Sequence, residues 1–430
     1  MQNSRFLIFG LLILVSCRPS SERLTRQPEL KQHFRMTKKP EEVGFSTERL
    51  ARLDSFFGRA VNNALLPNAV VLIARHGRIA YYKSFGWKNV EKKEPIKRDD
   101  IFRIASMSKA IVTVALMQLY EQGKFLLDDP VSNYIPEFKN PQVIVPPSKP
   151  GETFGTRPAN GEITIRHLLS HTSGIAYGNE RFAKDSIPIY NSLKADTLAQ
   201  VVKKIARQPL DFDPGERFSY GMNLEVAGYL VEIFSGMQLD KYLEKYIFEP
   251  LGMKDSYFYL PADKASRLVT LYEKVHPDSS LRVSPNISNQ TFPIAGARTY
   301  FTGGAGLVGT IEDYAKFCEM LVNGGSFNGN QLLGRKTIEL MTTNQIGESE
   351  VWGNDDKFGL GFQLMTQKTT RKLPASVGSF KWGGMYATDY LIDPKEDLIF
   401  LLYTNVQPFY AYNATMEKFR VLVYQALTGR

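Results

Sequence analysis

The sequence predicts an α/β (α+β) protein: an antiparallel sheet flanked by N- and C-terminal helices, with an inserted, mostly helical domain. Two observations carry this prediction. Strand-like apolar stretches lie near both ends of the chain, and helix-like stretches fill its middle. We therefore expect an α/β domain in two parts, residues 42–135 and 295–430, and a mostly helical domain over residues 136–294.

The elements of the α/β domain follow from the periodicity of their apolar residues. Ser46 or Thr47 can cap the first helix, which precedes two strands. In chain order the elements are a helix over 46–64, strands within 68–86 that turn at His76-Gly77, strands joined at 393–397, and a helix over about 412–427.

The middle of the chain is predicted to contain a long loop followed by helices. Residues 139–161 are rich in proline and look like a loop that could cover a site, and helical stretches run from about 163 to 250. The last section begins with the glycine-rich residues 301–309, after which Thr310 can cap a helix that extends to Leu321.

Two other patterns are discounted. Gly304, Gly306 and Gly309 match a dinucleotide-binding fingerprint, but no parallel βαβ unit and no acidic residue about 20 positions later accompany them. His167 and His171 stand four residues apart without an intervening glutamate, so we expect packing rather than a metal. No cofactor is expected.

The distribution of charge along the chain bears on whether the protein binds nucleic acid. The 430 residues carry a formal net charge of +9, but positive and negative side chains are interspersed, which does not favour nucleic-acid binding.

Cys318 lies at helical spacing among apolar residues and is expected to be a small buried side chain.

The N-terminus predicts export. Residues 1–16 combine Arg5 with a short apolar stretch, as in a secretory signal peptide, and "LVSC" resembles a bacterial lipobox with Cys17 as the lipidated residue. Residues 17–41 would then be a lipid-attached tether. We expect an exported, membrane-anchored lipoprotein that faces the periplasm or the cell exterior.

The strongest chemical signal is "IASMSKA", residues 104–110. Residues three apart share a helix face, whereas neighbours diverge, so Lys109 pairs with Ser106 and not with Ser108. The helix that follows, to Gly123, is apolar nearly all round and should be buried. A lysine that loses its hydration there is a plausible base for a serine nucleophile.

Two further elements can complete such a site. Tyr220 follows a Pro-Gly turn and precedes an apolar helix, so it could relay a proton. Gly383 and Gly384 begin a predicted edge strand, where a substrate could approach backbone N–H groups.

These elements, in this order, resemble the serine β-lactamase and penicillin-binding-protein superfamily, and most of all class C β-lactamases and the related family VIII carboxylesterases. The resemblance covers about residues 42–428 and includes "IFRIASMSKAIVTVALMQLYEQGK", "ITIRHLLSHTSGI", "PGERFSY" and "GGAGLVGTIEDYAKFCEMLVNGG". It implies a β-lactamase/transpeptidase-like fold with the active site between the two domains.

The resemblance also implies roles. Ser106 would be the acylated nucleophile, and Lys109 and Tyr220 would share the proton transfers, with the general base at each step left open. The backbone N–H groups of Ser106 and Met385 would form the oxyanion hole. The substrate pocket would include Trp382, Gly383, Gly384, Met222 and Tyr386.

Departures from the β-lactamase pattern favour esters. The third motif, Lys-Thr-Gly in β-lactamases, is Trp382-Gly383-Gly384 here, so the cation that pairs with a substrate carboxylate is gone. Lys381 should face the other side of its strand. The second motif, Tyr-x-Asn in β-lactamases, reads Tyr220-Gly221-Met222 here, and Asn223 comes one residue later than the usual asparagine.

We therefore expect a lipid-anchored serine hydrolase, first of all a carboxylesterase on small acyl esters. The alternatives are a D-amino-acid peptidase, a β-lactamase, and a non-catalytic protein that holds a cell-wall ligand in the same cleft. The expected partners are a small ester or amide substrate and, through the lipid, a membrane.

Overall fold

The computed structural model describes residues 34–147, 149, 153–177, 196–274 and 280–429. The predicted signal peptide, Cys17 and most of the tether lie outside these residues. No helix within the described ranges is long and apolar enough to cross a bilayer.

The strands of the described chain are β1 (Asn68–Arg75), β2 (Arg78–Asn89), β3 (Glu94–Pro95), β4 (Phe102–Arg103), β5 (Gln142–Val145), β6 (Gly155–Pro158), β7 (Tyr272–Glu273), β8 (Arg282–Val283), β9 (Val308–Gly309), β10 (Ser326–Phe327), β11 (Asn330–Gln331), β12 (Lys357–Phe358), β13 (Gln363–Leu364), β14 (Phe380–Gly384), β15 (Thr388–Asp393), β16 (Leu398–Tyr403) and β17 (Val406–Gln407).

Its α-helices are α1 (Thr47–Asn62), α2 (Ser108–Glu121), α3 (Ile165–Leu169), α4 (Leu198–Ala206), α5 (Asn223–Ser235), α6 (Leu239–Leu243), α7 (Glu249–Leu251), α8 (Ile287–Ala295), α9 (Ile311–Val322), α10 (Arg335–Met341), α11 (Gln367–Thr370) and α12 (Asn413–Tyr424).

The main sheet has the order β12-β13-β14-β15-β16-β1-β2-β3, and its pairs are antiparallel. The N- and C-terminal parts of the chain meet where β1 pairs with β16, with Val70 opposite Tyr403. Both strands are buried along their whole length. The predicted sheet, built from both ends of the chain, is confirmed.

The two terminal helices cover one face of this sheet. Ser46 caps α1 by accepting from the Arg49 backbone N–H at 3.2 Å, and Phe57 of α1 contacts Phe419 of α12 with ring centroids 5.6 Å apart. Their apolar side chains share a core with Val71 and Ile73 of β1. The helices predicted over 46–64 and 412–427 therefore lie where the sequence places them.

The opposite face packs against α9 in a larger core that includes Val70 and Leu72 and extends to α2 and α5. Every residue of α2 from Ser108 to Met117 is buried, as an apolar helix without a polar face predicts. Cys318 of α9 is fully buried, as expected.

The stretch 139–161 differs from the expected loop. Its described part contains β5 and β6, which pair antiparallel with Val143 opposite Arg157. The physical reason is the apolar "VIV" run, because Val143 and Ile144 are buried beside Leu210.

Candidate active site

Ser106 lies in a single 3₁₀ turn, Ala105–Met107, that leads directly into α2. Ala105 has φ +44°, a left-handed backbone that costs a residue with a Cβ about 1–3 kcal/mol. This turn follows β4 and leaves Ser106 half-buried, whereas its neighbours Ala105 and Met107 are buried. The chain thus exposes Ser106 at the edge of a packed core.

Lys109 lies on the same side of the helix as Ser106. Its Nζ is 3.2 Å from Ser106 Oγ and donates to the Gly304 carbonyl oxygen at 2.6 Å. Ser108 is fully buried and accepts from the Leu307 backbone N–H at 3.1 Å. The spacing of three residues therefore brings Ser106, and not Ser108, to Lys109.

Tyr220 completes a compact group with this pair. Lys109 Nζ lies 4.8 Å from the centroid of the Tyr220 ring. That ring also contacts His171 at 4.8 Å and Trp382 at 5.2 Å between centroids. The Tyr220 hydroxyl is buried and has no hydrogen-bond partner among the described residues. A substrate or the serine could supply that partner.

Close backbone packing fixes the position of Tyr220. A Cβ on the next residue, Gly221, would lie 1.8 Å from the Ile175 carbonyl oxygen, so only glycine fits there. Met222 comes next, is 2 % exposed and lies in the larger core.

The Asn223 side chain is hydrogen-bonded to residues of the loop at 171–173. Its amide Nδ2 is 2.9 Å from His171 Nδ1, and its Oδ1 accepts from the Ser173 hydroxyl. Asn223 is fully buried in this arrangement. The one-residue delay in the second motif thus turns the amide toward the loop at residues 171–173.

Gly383 and Gly384 end β14, an interior strand between β13 and β15, so the expectation that they begin an edge strand is wrong. The pair lies against the turn that carries Ser106. A Cβ at Gly384 would be 2.5 Å from the Ile104 carbonyl oxygen, two residues before the serine. Met385 and Tyr386 pack in a small cluster with Ala105, and Tyr386 is fully buried. The backbone at residue 385 therefore lies beside the backbone of the turn that carries Ser106.

Lys381 and Trp382 point to opposite faces of β14. Trp382 stacks on Trp352 with ring centroids 5.2 Å apart, next to Tyr220. Desolvation lowers the pKa of Lys381. The charged groups near it include Asp389 and Arg420, and Arg420 lies on α12, which covers the sheet face opposite the one that Trp382 faces. The lysine is therefore not a substitute for a cation in the site.

Two neighbours of the site escape the sequence patterns. Trp352 is 56 % exposed and lies in a loop without periodicity, so only tertiary structure reveals its stacking. Glu225 is 2 % exposed on α5 and accepts from the Gly303 and Gly304 N–H groups. A glutamate within the apolar run "LEVAGYLV" was the available signal.

The two histidines serve local structure. His167 Nδ1 accepts from the Thr164 backbone N–H at 3.2 Å, which caps α3, and His171 is bonded to Asn223. Burial lowers the pKa of both imidazoles. Within the described ranges no group of three His, Cys, Asp or Glu side chains could hold a metal.

Comparison with known proteins gives a consistent set of relatives. A family model described as Beta-lactamase matches residues 53–425. Esterase EstB of Burkholderia gladioli is 28% identical over 372 residues, which cover 83% of this chain and 90% of EstB.

Two more relatives extend this set. A putative D-alanyl-D-alanine carboxypeptidase of Escherichia coli (strain K12) is 26% identical over 93% of this chain and 90% of its own length. The solved structure of EstCE1, described as a hydrolase with promiscuous acyltransferase activity, has a TM-score of 0.73 at 27% identity, over 89% of this chain and 99% of that one.

Proposed function

The chain belongs to the beta-lactamase family, and from that premise we propose that it is a serine hydrolase with Ser106 as its nucleophile. The activity that we propose first is that of a carboxylesterase on small acyl esters. The observation that carries the proposal is the pair of Ser106 and Lys109, with Nζ 3.2 Å from Oγ beside a buried tyrosine hydroxyl.

The proposed reaction has two steps. Ser106 Oγ attacks the ester carbonyl carbon, and its proton passes through Lys109 and Tyr220 to the leaving alkoxide, which departs as the alcohol. Water then attacks the acyl-enzyme and gives one of its protons to the Lys109 and Tyr220 pair, the Oγ–carbon bond breaks, and that proton passes to Ser106 Oγ as the acid leaves. Lys109 and Tyr220 share the proton transfers in both steps.

We propose that the N–H groups of Ser106 and Met385 stabilise the oxyanion. The close approach of Gly384 to Ile104 supports this assignment, because it sets the two backbone segments side by side. Fixed donors of this kind stabilise the developing charge without reorganisation and contribute about 3–4 kcal/mol for a single donor.

The preference for esters rests on the aromatic wall of the site. Trp382 stands where a lysine would pair with the carboxylate of a peptide or β-lactam, and Lys381 points to the opposite face of the sheet. Trp352 and Tyr220 extend the apolar surface. An uncharged acyl ester loses no ionic partner in such a site, whereas an anionic substrate does.

A fluorophosphonate serine probe tests the nucleophile. We expect the unmodified protein and Ser108→Ala to be labelled, Ser106→Ala to be unlabelled, and Lys109→Ala to react about 10²–10⁴-fold more slowly. Full labelling of Ser106→Ala would contradict the assignment. No labelling of the unmodified protein would favour the non-catalytic ligand-binding alternative.

Substrate class is tested by direct competition. We expect a short-chain p-nitrophenyl ester to be hydrolysed with a higher kcat/KM than a chromogenic cephalosporin or a D-alanyl-D-alanine peptide. Faster turnover of the cephalosporin or of the peptide would instead assign a β-lactamase or a D-amino-acid peptidase.

We also propose that the protein is exported and anchored to a membrane through lipid on Cys17. The support is the apolar segment and the "LVSC" sequence at the N-terminus. In a bacterial host, radiolabelled palmitate should enter the unmodified protein and not Cys17→Ala, with Cys318→Ala as the matched control. Equal labelling of Cys17→Ala would overturn this proposal.

A further inference from the structure

Glu225 is a charged group in the core next to the proposed catalytic lysine. It lies in the first turn of α5 and is 2 % exposed. Its carboxylate accepts from the Gly303 N–H at 2.9 Å and the Gly304 N–H at 3.1 Å. The hydroxyl of Thr302 also donates to it. The Tyr300 hydroxyl is a further donor, and hydrogen bonds of this kind stabilise the ionised form of the carboxyl group.

The same short segment holds Lys109. The Gly304 carbonyl oxygen accepts from Lys109 Nζ at 2.6 Å, so the N–H and the C=O of one residue join the carboxylate to the ammonium group. A Cβ at Gly304 would lie 2.8 Å from Glu225 Oε1 and 3.5 Å from Lys109 Nζ. Both charged groups therefore lie close to the same residue, and a side chain at position 304 would have to displace the Glu225 carboxylate.

A role in structure alone does not explain the charge. An isolated buried carboxylate is costly, and burial raises the pKa of Glu225, while its hydrogen bonds and the charge of Lys109 oppose that rise. A neutral side chain could bind the same glycine N–H groups without this cost. A negative charge, unlike a neutral side chain, stabilises a positive charge that forms nearby.

We propose that Glu225 is a positioning residue for Lys109: it fixes the Gly303-Gly304 segment so that the Gly304 carbonyl directs Nζ toward Ser106, and its charge stabilises the ammonium ion that forms when Lys109 takes the serine proton. This inference rests on the proposed serine hydrolase activity. It adds a buried carboxylate to the Ser106–Lys109–Tyr220 unit.

The test measures pH profiles, because orientation and charge affect them differently. The titratable groups that face Lys109 are Glu225, Tyr220, Tyr177 and the buried His171, and Tyr300 is hydrogen-bonded to Glu225. The rate of fluorophosphonate labelling and kcat/KM for a p-nitrophenyl ester are both recorded from pH 5 to 10 for each variant.

In Glu225→Gln we expect both rates to fall about 10–100-fold. We also expect the acidic limb of each profile to move to lower pH by about one unit, because the ammonium form loses its nearest buried anion. Glu225→Asp keeps the charge but cannot reach both glycines, so its rate should fall while its acidic limb stays in place.

Glu319→Gln is the matched control, since Glu319 is also 2 % exposed but bonds Asn323 on α9. We expect its profile to equal that of the unmodified protein. If Glu225→Gln folds and the acidic limb of its pH profile does not move, the inference is overturned. If Glu225→Gln does not fold, Glu225→Asp decides: labelling and hydrolysis at the rates of the unmodified protein would overturn the inference. No labelling of the unmodified protein would contradict the proposed function itself, and the inference with it.

Discussion

Replacing Tyr220 with phenylalanine is expected to raise the stability of the protein while lowering its activity. The hydroxyl is buried and has no hydrogen-bond partner in the described part of the chain, and the ring packs against His171 and Trp382. Phenylalanine keeps the ring contacts and removes a hydroxyl group that is buried away from solvent. A group that serves only the reaction should carry such a cost in the resting protein.

The size of the effect follows from that unpaired hydroxyl. Burying a polar group without a partner costs about 1–3 kcal/mol, so the free energy of unfolding of Tyr220→Phe should rise by at least about 1 kcal/mol. For a chain of 430 residues this corresponds to about 1 °C in Tm. If the hydroxyl relays a proton, kcat/KM should fall about 10²–10⁴-fold.

Tyr82→Phe is the matched control, measured beside it by urea unfolding, calorimetry and ester hydrolysis. Tyr82 is 9% exposed and its hydroxyl donates to the Arg98 carbonyl at 2.9 Å, so its loss should lower the unfolding free energy by about 1 kcal/mol and leave kcat/KM unchanged. The reasoning would be refuted by Tyr220→Phe losing as much stability as the control, or keeping full activity.

Three further outcomes are expected. Ser106→Ala should abolish ester hydrolysis, whereas Ser108→Ala should keep most of it and lose about 1 kcal/mol of unfolding free energy with its backbone hydrogen bond; equal losses of activity in the two variants would contradict this. Trp352→Ala should raise KM for a p-nitrophenyl benzoate ester several-fold and leave KM for the acetate unchanged, and a parallel change in both would argue against an aromatic binding wall. Burial lowers the pKa of His167 and His171, so below about pH 6.5 the unfolded chain binds protons that the folded chain does not. The free energy of unfolding should therefore fall as the pH drops from about 6.5 toward the folded-state values, by up to about 1.4 kcal/mol per pH unit for each imidazole, and a flat urea stability from pH 6.5 to 5 would contradict it.

Several parts of the site are visible in the sequence because they depend on local geometry. The choice of Ser106 over Ser108 needs only the helical repeat, which sets residues three apart on one face. The separation of Lys381 from Trp382 needs only the alternation along a strand. Both expectations agree with the contacts of these side chains.

Other parts needed the folded chain. The carbonyl that holds Lys109 belongs to Gly304, 195 positions away, and the stacking of Trp352 on Trp382 joins a loop to a strand. The hairpin of β5 and β6 also lay in a stretch whose prolines predicted only loop, because its two apolar residues become informative once Leu210 is beside them.

The sequence by itself determined the two terminal helices, the long strands of the sheet shared by both chain ends, and the Ser106–Lys109 pair, because backbone periodicity fixes the relation of residues a few positions apart. Only the tertiary structure decided what surrounds that pair: the buried Tyr220 hydroxyl, the aromatic wall and the carboxylate of Glu225. Packing brings these groups together from distant segments, and no local pattern encodes which distant side chain will share a cavity with a given lysine.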